Sequence, residues 1–183
     1  MKQHRGMRRV GSAFRAAVAA MPVTPFHFGP GALLKGCAPR WVSLTAFVTS
    51  QIAIDIESGY HLLRGDWPVH REAHSLVGAT LIGLLSGGAV WFVARRLRLA
   101  LGFHSEMAIE LLPALVGGLV GGITHSLLDS VMHPDLRPFW PFTLANPFLD
   151  LVGVGLLQTM CVASGVAGAV LLVIRSRRTT TAG

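Results

Sequence analysis

His125-Ser-Leu-Leu-Asp129 puts an imidazole and a carboxylate one turn apart on a single helix face. Nitrogen and oxygen donors so placed can converge on a divalent cation about 2.0–2.2 Å from each. His133 continues the stripe, and His70 and His74 repeat the four-residue spacing just after Pro68. Asp55 offers a carboxylate from another segment, with Glu57 beside it, and His27 offers one more imidazole. Cys37 and Cys161 have neither metal-ligand spacing nor a disulfide framework, and Cys161 reads as a small packing residue in an apolar run.

Each pair alone is common by chance. An isolated histidine is often a hydrogen-bonded packing or interfacial residue, which is the reading for His61 and His104, and Glu57 reads equally as a solvated helix end. The convergence carries more weight. An aspartate at the centre of a lipid-buried helix costs on the order of 2.5–3.5 kcal/mol, so such residues have partners. Two partner sets are open, a shared metal ion or a structural ion-pair network, and the lack of a nearby lysine favours the metal.

The elements that must position these residues are membrane helices. Hydrophobic residues make up 51% of the 183, and charged residues only 14%, against about 25% in a soluble domain. The 21 glycines are spread through apolar stretches, where small residues let membrane helices approach closely. Crossing a bilayer takes about 20 apolar residues, and residues 75–94, 108–132 and 149–174 qualify. Residues 28–38, broken by Gly29, Pro30 and Gly31, and residues 41–56 predict a short helical hairpin dipping into the membrane, the second arm closed by Asp55 and Glu57. The fold expected is therefore all-α, an integral membrane helical bundle of three long transmembrane helices plus a short helical hairpin. Residues 1–26 read as a basic N-terminal arm, 27–174 as the membrane-embedded metal-site domain, and 175–183 as a basic, polar tail.

The small residues repeat every four: Gly117 with Gly121, Gly118 with Gly122, and Ala79 with Gly83 and Gly87. Each set lines one helix face and predicts tight helix packing. Alternating chain direction then gathers Asp55, Glu57, His61, His70, His74, His125, Asp129 and His133 at one end. Lys35, Arg40, an Arg95-Arg96-Leu97-Arg98 loop and the Arg175 tail fall at the other, with Glu106 and Glu110 at a helix start that favours acids.

The net charge of +7 sits mostly at the ends of apolar runs, as a topology signal does, and no basic face interleaved with aromatics supports nucleic-acid binding. Arg8-Arg9 followed by the alanines from Ala16 to Ala20 has the outline of a twin-arginine or secretory signal. Arg15, Pro22 and Pro25 break it, which favours an amphipathic arm lying on the membrane surface. The proline-rich loop from Pro134 to Phe142 is set up as an interfacial anchor through Trp140 and Phe142, with Arg137, like Arg71, able to meet an anionic group.

His27, Asp55-Ile-Glu57, His70-Arg-Glu-Ala-His74-Ser75, and His125-Ser-Leu-Leu-Asp129 followed by Arg-Pro-Phe-Trp-Pro-Phe resemble the YdjM-type inner-membrane metal-dependent hydrolases of bacteria. The order matches over residues 27–147. The chain departs from the family in lacking a proline before Asp55 and in a one-residue shorter step from the His-Arg to the His-Ser pair. That family is in turn similar to zinc-dependent phospholipase C and zinc-dependent single-strand nucleases, which cleave phosphoesters. The resemblance implies His27, Asp55, His74, His125 and Asp129 as metal ligands, with His70 matching the family's first histidine.

The activity expected is hydrolysis of a phosphoester or another lipid-proximal ester. The ion would be zinc, or alternatively manganese, lowering the pKa of bound water towards about 7. Asp55 or Glu57 would bridge metals or accept a proton, and Arg71 and Arg137 would steady substrate charge. The rival class is a non-catalytic membrane protein: a metal or proton transporter, or an assembly factor with a structural polar cluster. The partners expected are membrane lipid and a small-molecule or lipid substrate, with no nucleic acid. The location expected is the bacterial inner membrane. The basic loops point the site to the outer face, while the basic arm before His27 points the other way.

Overall fold

The computed structural model describes residues 24–101 and 109–180. Most of the basic arm (residues 1–23), His104, Glu106 and the last three residues of the tail lie outside them. Among the described residues the protein is all-helical. A 3-10 turn, Thr24–His27, leads into α1 (Phe28–Cys37), followed by α2 (Leu44–Arg64), a second 3-10 turn (Glu72–His74), α3 (Leu76–Leu101), α4 (Leu111–Met132) and α5 (Val154–Thr180). Three stretches are long and apolar enough to cross a membrane, Leu76–Ala100, Leu111–Met132 and Val154–Arg178. They mark the chain as a membrane protein.

Three boundaries differ from those expected. The second arm of the hairpin does not close at Ile56 but continues to Arg64. Its start is fixed by Ser43, whose Oγ accepts the Ala46 N–H at 3.3 Å, and its end by Gly65 in the left-handed region (φ 70°). There the Gly65 N–H donates to the Leu62 carbonyl and the Asp66 N–H to that of His61, a Schellman stop. Asp55 and Glu57 are thus mid-helix residues, and it is glycine, not the acids, that ends α2. The Arg95-Arg96-Leu97-Arg98 stretch is not a loop but the last turns of α3. Arg95 and Arg96 fold back over the rings of Trp91 and Phe92, 5.4 and 5.0 Å away, and arginine and leucine are good helix formers. Finally, His70 and His74 share no helical register, since His70 sits in irregular chain and His74 in a 3-10 turn.

The core is a trio of α2, α3 and α4, flanked by α1, which packs chiefly on α5 rather than on its neighbour α2. The four-residue glycine repeats do the expected packing. A Cβ added at Gly118 or Gly122 would collide with the carbonyl oxygens of Gly83 and Ala79 on α3. One at Gly117 or Gly121 would meet Ser43, Phe47 or Ser50 at the start of α2. The two faces of α4 therefore touch α3 and α2 almost backbone to backbone. The next turn of α4 along each face carries His125, Ser126 and Asp129, all buried.

Candidate metal centre

Four side chains meet at the end of this trio. Asp55 comes from the middle of α2, His74 from the turn before α3, and His125 and Asp129 from α4, with one donor atom of each within 4.8 Å of every other. His74, His125 and Asp129 are almost wholly buried, while the Asp55 side chain keeps 29% of its surface. His125 Nε2 lies 3.2 Å from Asp55 Oδ1 and 3.1 Å from Asp129 Oδ2, and His74 Nε2 lies 3.7 Å from the same two atoms. Four donors held about 2.1 Å from one ion at the corners of a tetrahedron stand about 3.4 Å apart. The observed edges bracket that value.

Hydrogen bonding points the same way. Among the described residues, the buried side-chain polar atoms without a hydrogen-bond partner are His27 Nε2, Gln51 Nε2, His74 Nε2, His125 Nε2 and Asp129 Oδ1. Buried polar atoms are nearly always bonded, and each exception costs about 1–3 kcal/mol. All three ring nitrogens lie near carboxylates without a hydrogen bond to them, the arrangement expected of atoms aimed at a common point. His27 adds a third imidazole, and a fifth side chain, from the turn before α1, with Nε2 3.4 Å from Asp129 Oδ1. The residues present fit a cation.

The far side of each ring is held. Gln51 Oε1 lies 2.5 Å from His125 Nδ1, accepts its N–H, and leaves Nε2 as the ligand atom. Glu57 stands 3.4 Å from His74 Nδ1 while also accepting the N–H groups of Arg71 and Ala73. Ser126 Oγ donates to the His74 carbonyl at 2.6 Å. Such supporting carboxylates and amides fix tautomer and ring orientation at metal sites.

Burial works against charge on His74, but the Asp55 and Glu57 carboxylates outweigh it and hold its pKa above the usual imidazole value. Burial would raise Glu57, yet hydrogen bonds from His74 and from the Ala73 and Arg71 N–H groups hold it below its ordinary range. For His27, burial prevails over the Asp129 charge and lowers the pKa. His133 is pushed down to about 4, first by burial and then by the neighbouring His70.

The chain matches no known protein family, no curated protein and no solved structure.

Of the residues singled out in the sequence, Asp55, His74, His125 and Asp129 come together, with His27 against them. His70 falls outside the four and groups instead with His133 and Asp135. Arg71 and Arg137 line a cleft of about 290 Å³ with Pro68, His70, Glu72 and Trp140. His61 is turned away, paired with Asp66 at 3.1 Å. Phe142 is 83% exposed, as an interfacial anchor requires, while the loop bearing it is docked through the Pro138 carbonyl, which accepts the Leu76 N–H. Sequence reasoning missed Gln51 and Asp135. Gln51 had a signal, an amide side chain one turn before Asp55 on the same helix face, whereas Asp135 was hidden in a loop read as an anchor.

Proposed function

We propose that this chain is a membrane-embedded, metal-dependent hydrolase of phosphoesters or other lipid-proximal esters, as its resemblance to the YdjM-type enzymes implies. The observation that carries the proposal is the set of four ion-spaced donors from separate elements, with ring nitrogens buried and unbonded. Two imidazoles and two carboxylates at tetrahedral spacing suit zinc better than manganese, which favours more oxygen donors. When bound, the ion supplies Lewis acidity and lowers the pKa of a water molecule. The chain does the rest. Gln51 and Glu57 hold His125 and His74 with Nε2 inward, and Asp55, the most open of the four, would be the donor that yields its place to water and takes up the water's proton. Arg71 and Arg137 hold an anionic group at the cleft mouth.

A transporter needs polar groups near mid-membrane with access from both sides, and here the donors of α4 lie in its last two turns. That favours an enzyme serving one face. The test is metal analysis of the full chain purified in detergent, alongside hydrolysis of a chromogenic phosphodiester. The wild-type chain is expected to hold stoichiometric metal and to cleave, and His125→Ala and Asp129→Ala to lose both. Unchanged metal content in those variants would reject the site. Metal flux into liposomes without hydrolysis would reject the enzyme.

A further inference from the structure

Beside the four-donor centre stands a group to which the proposed hydrolase gives no role. Asp135 is buried in the loop after α4, and one of its oxygens is pinned by the backbone: Oδ2 accepts the Val69 and His70 N–H groups at 2.8 and 3.1 Å. His70 Nδ1 faces both oxygens, 3.1 Å from Oδ1 and 3.2 Å from Oδ2, and among the described residues no main-chain group holds Oδ1. The His133 ring stacks on His70 with centroids 4.0 Å apart and planes 30° from parallel. One donor atom from each of His70, His133 and Asp135 lies within 4.8 Å of the others.

We propose that His70, His133 and Asp135 form a second divalent-cation site, open towards the cleft that His70 shares with Arg71 and Arg137. Two imidazoles and a carboxylate are a zinc-type donor set, and three protein ligands leave a position for water or substrate. A carboxylate with one oxygen anchored by main-chain N–H groups presents the other at a fixed place, as supported metal ligands do. His133 Nε2 is also 4.0 Å from Asp129 Oδ1, so the second site borders the first. Three of the four donors of the first centre are buried, whereas His70 of the second lines a cleft with two guanidinium groups. An anionic ester entering there meets an ion and both arginines together, which assigns the substrate a phosphate or a similar oxyanion. That substrate assignment rests on the hydrolase reading; the ion site itself does not.

The full chain in detergent is stripped with chelator, dialysed against zinc and analysed for bound metal, and cobalt(II) is substituted in parallel to read its visible absorption. Asp135→Asn keeps the shape of the backbone acceptor, and His133→Gln is an independent variant that leaves Asp135 in place. Each is expected to lose about one equivalent of metal relative to wild type, with a matching loss of cobalt absorption, and to keep the metal that His125→Ala removes. If both folded variants retain wild-type content while His125→Ala loses metal, the second site is overturned and the first stands. If His125→Ala changes nothing while Asp135→Asn and His133→Gln each lose an equivalent, the second site stands and the four-donor reading falls. A wild-type chain that binds no zinc overturns both.

Discussion

Gln51 offers the sharpest test of how the centre is built. Its Oε1 lies 2.5 Å from His125 Nδ1, and the side chain is fully buried, so water cannot replace it. Gln51→Met keeps length and volume but removes the acceptor. The His125 N–H then has only His27 Nδ1, 3.3 Å away, an atom that accepts it only when the His27 proton sits on Nε2. Losing such a supporting bond at a metal site weakens affinity about 10–100-fold, which is roughly 1.4–2.8 kcal/mol. Gln51→Glu offers a stronger acceptor in the same place and is expected to hold metal at least as tightly as wild type. The assay is competition against a zinc indicator in detergent, with thermal unfolding of the metal-free proteins as control. The two variants should therefore separate, Gln51→Met binding more weakly than wild type and Gln51→Glu no more weakly. If Gln51→Met binds zinc within about threefold of wild type, the amide does not orient His125 and the supporting-shell argument fails.

Two further outcomes follow from described features. His74 has a raised pKa in the metal-free protein, so it keeps its proton to higher pH than an ordinary imidazole and must surrender it before Nε2 can ligate. Lowering the pH below that raised pKa is therefore expected to weaken zinc binding about tenfold per pH unit for the one proton, and calorimetry in buffers of different ionisation enthalpy should detect proton release; flat affinity between pH 6 and 8 would contradict this. At the α3–α4 contact, Gly122→Leu is expected to destabilise the fold by about 1–3 kcal/mol through overpacking and to lower metal content with it. Gly88→Ala, whose added Cβ meets nothing within 4 Å, should leave thermal stability and metal content unchanged.

Much of this arrangement was legible in the sequence because it rests on periodicity. The four-residue glycine repeats identify which faces of α4 come close to α2 and α3. The alternation of apolar spans puts His125 and Asp129 at the same end as Asp55 and His74. What was not legible depends on local geometry. The acids in α2 look like a terminus because charged residues in an apolar helix usually mark one, yet the helix runs on until Gly65 permits a left-handed residue. The pairing of α1 with α5 joins segments far apart in the sequence, and nothing in either composition specifies it. Asp135 stayed hidden because it lies in an irregular loop with no helical spacing to His70, and two of its partners, the Val69 and His70 N–H groups, are main-chain atoms that carry no side-chain signature.

The seam between α3 and α4 has one more consequence. Where carbonyl oxygens rest against α-carbons, no rotamer can shift to absorb movement, so the two helices can separate only as whole bodies. His74 and Asp129 sit at the end of that same close-packed frame, so the distance between them is set when the helices assemble. A cation too large for that spacing would be refused rather than accommodated.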